Sequence, residues 1–241
     1  MTPEQAAHDT ASVVFSVPSG FMSDNDTFTR GTELGFEGMD FYVAGRGGAL
    51  GDVPADVVVA AFWSFGPEAV RDAWNRTATV TTRREAAGAW LACGHRWAMR
   101  RFDDGPDYER AAALLGRIVS GASVACAPLF AGVRSLPEPT DPKALVQHRL
   151  NAVRELRGAL HGAAVLTVGL QPHEAVAVRT PKFASVAGWP EPHPDPEPLR
   201  DRWALAEART DRMVGRHYAV LDDGERTELV GILDAIRAAL S

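Results

Sequence analysis

Lysine is almost missing from this chain of 241 residues: of its 25 basic residues, all but Lys143 and Lys182 are arginine. Cysteine is also scarce. Cys93 and Cys126 stand alone, with no second cysteine at metal-ligand spacing, which excludes a disulfide scaffold and a cysteine-rich zinc module. Both thiols read as small buried hydrophobes in a reducing cytosol, so a cytoplasmic location is expected. No stretch approaches the roughly 18 apolar residues that a membrane-spanning helix needs. The N-terminus carries Glu4 and Asp9 and no basic region before an apolar run, so it does not read as a signal peptide. Excess positive charge is missing too. The net charge is −6, and because binding to duplex phosphates needs a basic face, nucleic acid is not the expected partner.

Catalytic signatures are equally sparse. There is no P-loop, no HExxH and no GxSxG elbow, and Cys93-Gly94-His95 lacks further ligands at useful spacing. No metal and no cofactor are expected. What the chain does have is a composition with 46% hydrophobic and 23% charged residues, that of a globular protein able to bury a sizeable core.

Hydrophobic periodicity predicts a mainly α fold: a multi-helix domain, a proline-rich connector and two C-terminal helices. Residues 1–32, rich in Ser, Thr, Asp and Gly, are expected to form a flexible arm, with Val13 to Val17 as one short strand. The helical core domain spans 33–180. Gly45 to Gly51 reads as a glycine-dense loop, and Asp52 as the cap of a helix running through Val57 to Trp63. Pro67 starts a helix through Trp74, and Thr82 a long one carrying Trp90 and Trp97. Tyr108 to Val119 is helical. Asp141 or Pro142 opens the longest helix, which ends near Gly169. In the 181–198 connector, Pro190, Pro192, Pro194, Pro196 and Pro198 alternate with acidic residues, an extended pattern with no core of its own. Residues 199–241 form the final helical pair, the second carrying Leu229, Ile232, Leu233, Ile236 and Leu240 on one stripe.

The long helix carries the sharpest functional signal. At 100° per residue, Arg154, Arg157 and His161 fall within about 60° of one another, beside the apolar stripe of Val146, Leu150, Val153, Leu160 and Ala164. Two guanidiniums and an imidazole there are costly to desolvate unless an anion or an acidic partner meets them. They form either an anion or substrate clamp or a set of structural salt bridges. Glu155 points to the far side of that helix, near His148 and Asn151. Gly158 and Gly162 are disfavoured inside a helix by about 1 kcal/mol each, which suggests close approach of a backbone or ligand. Arg46, between glycines, is expected to stand out on its loop, just before a helix start suited to an anion. The recurrent tryptophans Trp63, Trp74, Trp90 and Trp97 serve either as core or as walls of an apolar pocket.

Two motifs carry a family resemblance. One is Phe41-Tyr42-Val43-Ala44-Gly45-Arg46-Gly47-Gly48-Ala49-Leu50-Gly51, followed by Val53-Pro54-Ala55 and Phe62-Trp63-Ser64-Phe65-Gly66-Pro67. The other runs from Arg154 to Ala164. Together they resemble an actinobacterial family of helical proteins labelled helix-turn-helix, over roughly residues 36–180 and again near Thr210-Asp211-Arg212. The family's second motif reads Arg-Glu-His-Arg-Gly-Asp-Gly-His, so Arg154, Glu155, Arg157, Gly158 and His161 match while Leu156 and Ala159 depart. The proline connector stands where the family's winged-helix-like segment is expected.

More distantly, the chain is similar to the paired, cofactor-free proteins that close aziridine rings by expelling sulfate in azinomycin-type antibiotic biosynthesis. That resemblance implies an enzyme of specialised metabolism acting on an anionic, amine-bearing substrate. Arg154, Arg157, His161 and Arg46 would meet the leaving sulfate, and Glu155, Asp40 or Asp52 the amine. The alternatives are a ligand-responsive helix-turn-helix transcriptional regulator, dimerising through its last helix, and a non-catalytic subunit that needs a partner chain.

Overall fold

A computed structural model describes residues 1–240 and is all-helical, with no strand among the described residues. The N-terminal residues form α1 (Pro3–Asp9) and α2 (Ala11–Ser19), followed by α3 (Asn25–Glu33) and α4 (Asp40–Gly47). Then come α5 (Ala55–Ala61), α6 (Pro67–Arg76), α7 (Arg83–Arg101), α8 (Tyr108–Gly121) and α9 (Pro128–Arg134). The longest element is α10 (Pro142–Thr167); after it follow α11 (Pro172–Arg179), the single turn α12 (Phe183–Val186), α13 (Arg200–Tyr218) and α14 (Asp223–Ala239).

Local chemistry sets many of these ends. Thr82 and Glu85 form a reciprocal capping box at the start of α7, and Asp222 with Glu225 does the same for α14. Asp141 caps α10 by accepting from the Ala144 N–H at 3.0 Å, with Pro142 in the first helical position.

The hub is α10, which touches α2, α7, α8, α9, α11 and α13. Val146, Leu150, Val153 and Leu156 are fully buried along it, and so are His148, Asn151 and Glu155. A helix covered on nearly every side must bury polar groups as well, and one of them, Glu155, becomes the centre of the ion pairs described below. The largest apolar cluster draws residues from all parts of the chain, from Ala6 and Val13 through Trp90 and Leu115 to Leu229, Leu233 and Ile236.

Five expectations change here. Residues 3–19 are two packed helices rather than an arm with a strand, because Val13, Val14 and Val17 meet the core at helical spacing. Tertiary burial outweighs the β preference of that valine run. Gly45 and Gly47 lie inside α4 and not in a loop, since a Cβ at Gly45 would sit 2.6 Å from the Trp90 Cβ. Asp52 caps nothing: α5 begins after Pro54 with no side-chain cap. The connector is not bare either. Phe183 packs on Phe65, Ala187 is buried, and the Trp189 indole donates to the Ser64 carbonyl. Of the two thiols, Cys93 is buried and Cys126 exposed.

Because α14 contributes Leu233 to the common core, Leu233→Ala should cost about 2–5 kcal/mol. It should lower the midpoint of one cooperative urea transition. A separate early transition confined to the C-terminal helices would show that α13 and α14 form an independent unit.

Candidate functional site

The residues singled out on α10 meet α4 across a buried carboxylate. Glu155, 2% exposed, accepts two parallel bonds from Arg46, Nε to Oε1 and Nη2 to Oε2, both 2.8 Å. Arg154 adds a third from Nη1 at 2.9 Å. Glu155 is therefore tied to the cationic cluster although it does not line the cavity those cations share. Its helical bearing is unchanged; Arg46 reaches it from α4 and Arg154 curls back over its neighbour. Burial alone would raise the Glu155 pKa, but the charges and hydrogen bonds of Arg46 and Arg154 bring it below the usual carboxylate range. Arg46 itself is half-buried within α4. Its Nη1 donates to the Tyr42 hydroxyl at 3.1 Å, and its guanidinium lies 4.5 Å from the Phe62 ring centre. It is thus a committed structural arginine, with all three of its bonded nitrogens engaged, and not a loop residue held out to solvent.

One turn along α10, Arg157 faces α13. Its Nη2 lies 2.8 Å from Asp211 and 3.2 Å from Glu207, and Asp211 in turn meets the His8 ring of α1 at 2.8 Å. The buried Arg157 Nη1 has no hydrogen-bond partner in the protein. Arg154 also donates from Nε to Ser19 at 3.1 Å.

His161 is buried at 5% exposure, between Trp63 and Trp203, with ring centres at 5.7 and 4.8 Å. Its Nδ1 lies 2.9 Å from the Thr210 hydroxyl, whose own proton goes to the Ala206 carbonyl. Nδ1 must then be the protonated nitrogen, which leaves Nε2 as a lone pair. Burial, then Arg179 and Arg157, push the His161 pKa down to about 3. His161 is therefore a neutral hydrogen-bond acceptor, not the third cation that the helical pattern suggested.

These groups line one cavity of about 510 Å³, which brings together Arg46, Arg154, Arg157 and His161. Phe15, Tyr42, Trp63, Phe65, Phe183 and Trp203 supply aromatic walls, and Arg179 and Glu207 supply further charge. Arg179 is exposed at its α11 position, with its guanidinium 3.8 Å from the Phe15 ring centre. Trp63 is held by a bond from its indole N–H to the Gly158 carbonyl at 2.9 Å. It lies so close to Gly162 that a Cβ there would be 2.8 Å from the indole nitrogen. Gly162 thus serves a close indole approach, whereas a Cβ at Gly158 would meet nothing within 4 Å.

Asp40 and Asp52 are not part of this cavity. Asp40 begins α4 and is clamped by Arg76 at 2.7 and 2.9 Å over a different groove, while Asp52 is exposed before α5. Arg179, Trp203 and Glu207 escaped the sequence reading, and Asp211 entered it only through the Thr210-Asp211-Arg212 stretch of the resemblance. The available signal was on α13, where Glu207, Thr210 and Asp211 interrupt the inward stripe of Ala206 and Val214.

Removing the Glu155 carboxylate leaves two guanidiniums uncompensated, so Glu155→Ala should cost about 3–5 kcal/mol, against about 0.5 or less for the exposed Asp52→Ala. Urea midpoints at neutral pH measure both. The acid limb should begin early. The unfolded chain protonates its histidines as pH falls through the ordinary 6.5, whereas folded His95 and His161 resist down to about 4 and about 3. Burial is the main cause for each. Stability should therefore decline progressively across that window. A flat urea midpoint from pH 7 to 5 would contradict the buried neutral histidines.

The family model described as the Helix-turn-helix family matches residues 17–202, so the chain belongs to that family. The matched range spans the proline connector and stops before the Thr210-Asp211-Arg212 stretch. No curated protein and no solved structure matches the chain.

Proposed function

We propose that this member of the Helix-turn-helix family binds a small organic anion in the α10 cavity and acts on it as a cofactor-independent enzyme. One observation carries the reading. Arg154, Arg157, Arg179 and His161 line a single aromatic-walled space of about 510 Å³, within the range of small-molecule pockets, and Arg157 Nη1 and His161 Nε2 have no hydrogen-bond partner in the protein. Arg157 Nη1 and the Arg179 guanidinium offer planar donors to carboxylate, sulfate or phosphate. Arg46 and Glu155 hold the floor that positions Arg154.

The chemistry such a site supports is stabilisation of negative charge as it develops on a departing group, by donors already fixed in a desolvated space. Ring closure of an amine onto carbon with loss of sulfate, the reaction suggested by the aziridine-forming resemblance, is one member of that class. In it the C–N bond forms as the C–O bond to sulfate breaks, and the amine proton passes to a base. Glu155 is unsuited to that last role, being already shared between two arginines.

The family membership favours a second reading, in which the same cavity is the sensor of a ligand-responsive regulator and nucleic acid is a partner. The two readings share the pocket and differ in what binding does.

In a thermal-shift panel of sulfate, phosphate, carboxylates and nucleotides, an anion should raise the unfolding temperature of the wild type. An anion present at 100 times its Kd stabilises by about 2.7 kcal/mol. Arg157→Ala should abolish the shift. No stabilisation by any anion would overturn the pocket reading. Retarded migration of the upstream DNA at low salt with micromolar protein, released by the stabilising anion, would replace the enzyme with the regulator.

A further inference from the structure

Two hydrogen-bond acceptors face each other on the α10–α13 side of the cavity without a donor between them. His161 Nε2 lies 3.8 Å from Glu207 Oε1. The His161 side chain is more than nine-tenths buried and its Nε2 has no partner in the protein. Its Nδ1 proton is committed to Thr210, so it cannot turn a donor toward the carboxylate without taking up a second proton. Glu207 spends its other oxygen, Oε2, on Arg157 at 3.2 Å. A lone pair and a carboxylate oxygen at this separation repel, and both need hydrogens.

We infer that His161 Nε2 and Glu207 Oε1 form a primary-amine subsite beside the arginines, so that the ligand class is an amino acid-like compound with an aromatic or apolar body. This rests on the anion-binding reading of the cavity and makes it more specific. A hydroxyl has one hydrogen and can satisfy one of the two acceptors; a water or a primary ammonium can bridge both, and only the ammonium also brings a positive charge to the carboxylate. The positive charge meets the Glu207 carboxylate, and the indole of Trp203 packs at a steep angle 4.8 Å from the His161 ring, giving the subsite an aromatic neighbour. Arg157 Nη1 and Arg179 are left for the anionic end. The amine is thereby assigned to α10 and α13, and not to Glu155, Asp40 or Asp52.

Calorimetric titration of the full chain with matched acids tests this. The probes are 3-phenylpropanoate, its hydroxy analogue 3-phenyllactate, and two amino analogues, phenylalanine and 3-amino-3-phenylpropanoate. The better amino acid should bind at least tenfold more tightly than either amine-free acid. Glu207→Gln should reduce that ratio to below threefold. Should Glu207→Gln fail to fold, the wild type still decides through the ¹⁵N resonance of His161 Nε2. That resonance should move on adding the amino acid and stay in place with 3-phenylpropanoate. If all four acids bind within twofold of one another, or if sulfate protects the protein while the amino acids do not bind, the amine subsite is overturned and the anion pocket stands. If neither sulfate nor any acid binds, the pocket reading falls and takes the subsite with it.

Discussion

A single carboxylate organises the interior of this protein. Glu155 is buried in the middle of α10, where an unpaired charge would be prohibitively costly, and it is stable only because α4 delivers Arg46 and α10 folds Arg154 over it. That requirement fixes the approach of α4 to α10. Tyr42 and Phe62 close around the Arg46 guanidinium, and Ser19 receives the far edge of Arg154. Tyr42, Arg46 and Arg154, all of which line the cavity, are thereby held by one charge that does not itself need to touch a ligand.

A second ionic relay runs outward from the same helix. Arg157, Asp211 and His8 link α10 to α13 and then to α1. The two relays differ in character. The Glu155 cluster is saturated with hydrogen bonds and acts as scaffold. The Arg157 branch has one guanidinium nitrogen without a protein partner, and Arg157 lines the cavity. Arginine suits both tasks, because its planar fork can clamp one carboxylate fully or divide its edges between a protein partner and something else.

Much of this was legible in the sequence wherever the cause is local. The caps at Thr82 and Asp141 and the stripe of Leu229, Leu233 and Ile236 define their helices without reference to the rest of the chain. The 100° spacing placed Arg154, Arg157 and His161 together, and the structure finds all three on one cavity wall. What was illegible depends on distant partners. The pairing of Glu155 depends on Arg46, 109 residues away in sequence. The neutrality of His161 follows from burial and from Arg179 on another helix. The valines of α2 and the glycines of α4 resemble strand and loop until the core that receives them exists.

The contact of Gly162 with Trp63 reaches further than its size suggests. The indole lies against bare helix backbone, in space that a methyl group would occupy. It is pinned there by the Gly158 carbonyl one turn back. The wall of the cavity is thus gauged by the absence of a side chain on the opposite element. A relative with alanine at this position would be expected to have the same residues around a narrower chamber, its tryptophan displaced toward the interior. The bore of the cavity is in that sense encoded in the backbone of α10 and not in the residues whose chemistry it presents.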